Sequence, residues 1–166
     1  MGSGIRANIL ATLTSKIIAT MMYNDMSIDE VVATIAKTLP LSSVNGVAYS
    51  TFSIIQVYYT GEIYVVEYDN PECNLVRQGK VKALPFTYRK IEGKKIRECR
   101  FQTLPGDALA IMSDGCLYCG TGDIINYRWD WNALAGCCES SAAKTRTAGQ
   151  LAEQMNRACA DLYGGV

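Results

Sequence analysis

Apolar positions repeat at helical spacing at both ends of this chain and at strand spacing through its middle. Ile5, Ile9, Leu13, Ile17 and Met21 recur every four residues, with Arg6 and Lys16 off the stripe. That spacing predicts an amphipathic helix, and the small residues Ala7, Ala11 and Ala19 would let it approach a sheet closely. Asn24-Asp25-Met26-Ser27 breaks the pattern, and Ser27 with Glu30 three residues later forms a capping box. A second helix follows with Ile28, Val31, Val32, Ile35, Ala36 and Leu39 on its apolar face, ended by Pro40. Residues 47–59 are rich in β-branched and aromatic side chains, and Thr60-Gly61 turns them into a second strand, Glu62 to Tyr68. Asp69-Asn70-Pro71 closes that strand, with Asp69 as a turn residue. Cys73 to Arg77 is a further short strand, turned by Gln78-Gly79-Lys80. Lys90 to Lys95 reads as a polar loop, and Ile96 to Leu104 as a strand. Near the C-terminus, Asp123 is placed to cap a short helix carrying Tyr127, Trp129 and Trp131. Gly136 to Arg146 is small and polar, and reads as a mobile connection. Thr147, with Gln150, caps a last helix with Leu151, Met155, Ala158, Cys159 and Leu162 inward. Helices segregated from antiparallel strands predict an α+β fold and not a doubly wound one.

Composition narrows the chemistry. A length of 166 residues fits one domain, and 49% hydrophobic with 19% charged residues describes a globular core. Sixteen basic and sixteen acidic residues balance, so the chain offers no electrostatic footprint for nucleic acid or an anionic membrane. There is no histidine, which excludes His-based triads, His zinc ligands and His general bases within this sequence. Acid–base work would fall to carboxylates, Lys, Tyr, Cys or a metal-bound water. Seven irregularly spaced cysteines and no apparent signal segment point to reduced thiols and a cytoplasmic setting. No stretch has the length and apolarity of a membrane span.

One stretch carries the strongest candidate chemistry: Leu104-Pro-Gly-Asp-Ala-Leu-Ala-Ile-Met-Ser-Asp-Gly115. Pro105-Gly106 is turn chemistry, with Asp107 a turn residue at the strand entry. Ala108 to Met112 is a short apolar run suited to a buried strand. Ser113-Asp114-Gly115 then places a carboxylate where the strand emerges, with Gly115 free to bend. A carboxylate on a rigid strand end suits a hard divalent cation. Two other features compete. Gly2-Ser3-Gly4 at a helix start could meet a phosphate through free N–H groups or simply pack closely. Cys116 and Cys119 with Cys137-Cys138 resemble a zinc set, but the adjacency of the second pair strains chelation.

Taken together, Gly2-Ser-Gly-Ile-Arg-Ala-Asn8, Tyr49-Ser-Thr-Phe-Ser53, Glu67-Tyr-Asp-Asn-Pro71 and Pro105-Gly-Asp…Ser-Asp-Gly115 resemble the metal-dependent protein phosphatases (PPM, or type 2C). The likeness is greatest to the bacterial branch named for stage II sporulation protein E. The segments fall in family order over nearly the whole chain.

The resemblance implies an antiparallel β-sandwich flanked by helices. It also implies two Mn²⁺ or Mg²⁺ ions held by Asp carboxylates, and a metal-activated water that hydrolyses phosphoserine or phosphothreonine. Asp114 is implied as a metal ligand and catalytic residue, with Gly115 beside it, and Gly2, Ser3 and Gly4 as substrate-side residues. The expected partner is a phosphorylated regulatory protein such as an anti-sigma-factor antagonist. The sequence departs from the family at both ends. The family's first metal-binding Asp and its Asp-Gly would precede Met1, and its Asp-Asp-Thr segment would follow Val166. The expectation is a single domain, 1–166, lacking terminal strands, with further ligands outside the chain and no activity of its own. The alternatives are a non-catalytic interaction module on the same fold and a cysteine-ligated zinc module.

Overall fold

Ser27 starts the most fully capped helix. In the computed structural model, which describes residues 5–39, 50–117 and 130–162, the Glu30 N–H donates to the Ser27 hydroxyl at 3.3 Å. The Glu30 carboxylate in turn accepts from the Ser27 N–H at 2.9 Å and its hydroxyl at 2.7 Å. This reciprocal cap satisfies donors that the first helical turn leaves open. It opens α2 (Ile28–Thr38), whose Ile28, Val31, Val32 and Ile35 are buried, as the sequence pattern requires. Ser27→Ala is expected to cost about 1 kcal/mol, read as a lower unfolding midpoint in urea.

Helix α1 (Ile5–Tyr23) forms where the four-residue repeat places it, but the repeat does not face a core throughout. Ile5, Ile9 and Leu13 are exposed, Ile5 to 81%. The buried residue is Thr14, whose hydroxyl donates to the Leu10 carbonyl at 2.8 Å and contacts the Ser50 hydroxyl at 3.1 Å. A four-residue repeat drifts around a 3.6-residue helix, and here the neighbouring elements cover a different stripe.

Strands β1 (Phe52–Val57), β2 (Glu62–Tyr68), β5 (Thr87–Ile91) and β6 (Lys94–Gln102) form one sheet in the order β1-β2-β6-β5. The β1–β2 turn needs Gly61: its φ is +82°, and a Cβ there would lie 2.8 Å from Gln102 Nε2. The expected polar loop at 90–95 is instead strand on both sides of a two-residue turn. Glu92 and Gly93 both have positive φ, 48° and 75°, the twist that suits a tight hairpin. They set the antiparallel register Ile91↔Lys94 to Thr87↔Glu98. Charged residues on the exposed positions of a half-buried strand imitate a loop when the sequence is read alone.

The described residues sort into two compact units. One comprises α1, α2 and most of the four-stranded sheet, with α2 lying against α1 and β5. Within it Asp29 of α2 pairs with the Arg89 guanidinium, which also donates to Glu98 at 2.7 Å. Tyr64 donates to Glu98 at 2.6 Å, and burial with this contact pushes its phenol up to about 12.

The other unit holds a three-stranded sheet in the order β4-β3-β7, from β3 (Asn74–Arg77), β4 (Lys80–Lys82) and β7 (Ala108–Ala110). It also holds α3 (Asp114–Leu117), α4 (Trp131–Ala142) and α5 (Ala148–Leu162). Helix α4 corrects the expected mobile connection at 136–146. Asp130 caps it by accepting the Ala133 N–H at 2.8 Å, and Leu134, Cys138 and Ser141 are its buried side; the cap expected at Asp123 lies outside the described residues. Small residues that read as a linker are here what lets a helix pack closely. Glu139 fastens α4 to β4, accepting from Lys80 Nζ and the Val81 N–H, each at 2.9 Å. The core of this unit is Val76, Met112, Leu134, Cys138, Leu151 and Met155. The expected helix and antiparallel-strand content of an α+β fold is present, and no helix among the described residues is long and apolar enough to cross a membrane.

Candidate functional site

Strand β7 is only three residues long, so its placement depends on what holds its ends. It pairs antiparallel with β3 through Asn74↔Ala110, Leu75↔Leu109 and Val76↔Ala108. At the entry end, Arg77 donates to both Asp107 carboxylate oxygens, from Nε at 3.0 and 3.2 Å and from Nη2 at 2.6 Å. Nη2 also reaches the Gln102 carbonyl at 2.9 Å, and Asp107 accepts the Leu104 N–H at 2.8 Å. One guanidinium thus ties the end of β3 to the turn that launches β7. Asp107 is the turn residue expected, with a partner that sequence spacing could not reveal.

The hydrogen bonds from Arg77, followed by that from Leu104, hold the Asp107 carboxyl below its usual range against the opposing effect of burial. A depressed folded-state value stabilises the fold above the unfolded carboxyl pKa, about 3.9, and that contribution is lost as pH falls through the folded value. Asp107→Asn is expected to lower the melting temperature at neutral pH and to flatten its decline below about pH 4. Parallel thermal scans of the two proteins against pH check this; an unchanged slope would remove Asp107 as a contributor.

At the exit end, the chain leaves β7 at Ala110, and Asp114 is the first residue of α3. Met112 is buried, while Asp114 is partly exposed. The Cys116 N–H donates to the Ser113 carbonyl at 3.0 Å, closing the turn. Gly115 is helical and not in the left-handed region, so the sharp glycine bend expected here is replaced by a helix start. Cys116 packs on the apolar cluster in hydrogen-bonding contact with Cys159, and burial pushes its thiol up to about 11. Cys138 is buried in the same cluster and Cys137 lies partly exposed beside it, whereas Cys119 lies outside the described residues.

Asp114 offers a hard oxygen donor, which suits Mn²⁺ or Mg²⁺, but such cations need several oxygen ligands. Among the described residues, no three Cys, Asp or Glu side chains gather into a metal-ligating group. The described residues therefore do not by themselves fit a dinuclear centre. Gly2, Ser3 and Gly4 lie outside the described residues. Sequence reasoning overlooked Asn74, directly opposite Ala110. Its side-chain Nδ2 is buried without a hydrogen-bond partner, and an Asn opening a short apolar strand was the only signal available.

No curated protein matches the chain by sequence comparison. Two solved structures of the phosphatase domain of the cell fate determinant SpoIIE from Bacillus subtilis share its fold. To the Mn-presoaked form the identity is 17% and the TM-score 0.56, covering 99% of this chain and 71% of that one. To the other the identity is 17% and the TM-score 0.55, with 100% and 70% covered. The family model described as Stage II sporulation protein E (SpoIIE) matches residues 1–165. With the family's segments in order along the sequence and the same fold in the solved domain, the chain belongs to the SpoIIE family, which has a PPM-type phosphatase fold.

Proposed function

We propose that this chain is the greater part of a metal-dependent protein serine/threonine phosphatase domain, with Asp114 as one of its metal ligands. The observation that carries the reading is the family match across residues 1–165, and the placement of Asp114 at the β7–α3 junction supports it. The family's chemistry uses divalent cations of the Mn²⁺ or Mg²⁺ type, which need several oxygen donors besides Asp114. The proposed substrate is a phosphoserine or phosphothreonine on a regulatory protein, such as an anti-sigma-factor antagonist.

The test is hydrolysis of a phosphoserine peptide by the full-length protein, with Mn²⁺ and with EDTA. Asp114→Asn is expected to lower the rate by about 100-fold or more, since even outer-sphere partners of a metal cost 10–100-fold when removed. Undiminished hydrolysis by that variant would remove Asp114 from the site. The lack of a gathered ligand set among the described residues favours a second reading, a non-catalytic module on the same fold. Capture of a phosphorylated partner by the wild-type protein, without loss of its phosphate in the presence of Mn²⁺, would select it.

A further inference from the structure

Buried donors in folded proteins nearly always have partners, and a protein-side orphan asks what it is kept for. Asn74 is 2% exposed, and its Nδ2 has no hydrogen-bond partner. Its direction follows from register. Asn74 and Val76 are two residues apart on β3 and so share one face, and their partners across the ladder are Ala110 and Ala108. Val76, Ala108 and Ala110 all belong to the cluster that also packs Met112, Cys116 and Leu117. The Asn74 amide therefore lies on the helix-covered face, at the end of the sheet where the chain departs for Asp114. The connection that begins there is Ile111–Met112, and the backbone turn and cap bonds among the described residues include none of its groups. An orphaned donor and a connection held by the packing of Met112 thus adjoin, immediately before the candidate ligand.

We propose that Asn74 is a positioning residue: in the working conformation its Nδ2–H donates to a main-chain carbonyl of Ile111 or Met112, fixing the connection that carries Asp114. The bond would do at the exit of β7 what Arg77 does at its entry. The proposal rests on the reading of Asp114 as a working residue. It explains why a polar side chain occupies a position whose neighbours on the same face, Val76, Ala108 and Ala110, are all apolar. A donor kept for one conformation weakens the other, because a buried polar group without a partner costs its desolvation.

Asn74→Leu and Asn74→Ala in the full-length protein test this by two readouts, thermal unfolding and phosphopeptide hydrolysis, with Asp114→Asn as reference. Asn74→Leu is expected to melt at the same temperature or a few degrees higher. Both variants are expected to lose about tenfold in kcat with KM little changed, as when an interaction made only at the reaction step is removed. A lower melting temperature for Asn74→Leu with full kcat would overturn the proposal and assign the amide to an ordered water in the core. If Asn74→Leu folds poorly, the kcat of Asn74→Ala decides alone, and full activity there also overturns it. Should wild type and Asp114→Asn hydrolyse the peptide equally, the reading of Asp114 fails and the proposal with it. Loss in Asp114→Asn with full activity in both Asn74 variants defeats the proposal alone.

Discussion

Arg97→Ala is expected to destabilise the protein by about 3–5 kcal/mol, the cost of stranding one member of a buried ion pair. Glu67 on β2 has a fully buried side chain, and Arg97 on the neighbouring strand β6 holds its Oε2 from Nε at 3.0 Å and Nη2 at 2.7 Å. Ser53 adds a longer contact to Oε1 at 3.4 Å, and the Arg97 guanidinium lies 5.0 Å from the centroid of the Phe86 ring. Without the guanidinium, a carboxylate that cannot reach water must protonate or open the sheet to hydrate. The pair as a whole need not be net stabilising, because removing two charges from water offsets much of their attraction. Two variants therefore separate the effects. Arg97→Ala should shift the urea midpoint strongly, whereas Glu67→Met with Arg97→Met should lie close to wild type. A loss below about 1 kcal/mol for Arg97→Ala, the range of exposed pairs, would show that water reaches Glu67.

Leu134→Ala should cost about 2–5 kcal/mol. Leu134 is 0% exposed and sits among Val76, Met112, Cys138, Leu151 and Met155, so it joins β3, α4, α5 and the segment before Asp114. The spread reflects how far that cluster can collapse into the space left behind. Leu134→Met keeps the volume and should cost less than about 1.5 kcal/mol. Hydrogen exchange should locate the effect: Leu134→Ala should raise exchange across 112–117 and α5. An increase confined to α4 would mean that Met112 is held by other contacts.

Much of the local structure was legible because its causes are local. Ser27 and Glu30 lie three residues apart, and their mutual bonds require nothing else in the chain. Thr147 likewise begins α5, with Leu151, Met155 and Cys159 buried at helical spacing. Strand β2 was visible at its observed bounds because β-branched and aromatic residues fill most of it on both faces. The misreadings share one physical reason, that burial is decided by distant partners. Lys94 and Lys95 begin β6 because β5 pairs with them. The Ala-, Cys- and Ser-rich stretch of α4 is helix because it packs on β3, β4 and α5.

The candidate site divides in the same way. Sequence by itself determined the family, the Asp114 carboxylate and the turn role of Asp107, since each is carried by residue type in a short ordered segment. Only tertiary structure decided that Arg77 grips Asp107 across 30 positions, that Asp114 opens a helix, and that Asn74 is buried opposite Ala110. A side chain's type is written in the chain, but its partner depends on strand register, and register is settled only when the sheet forms.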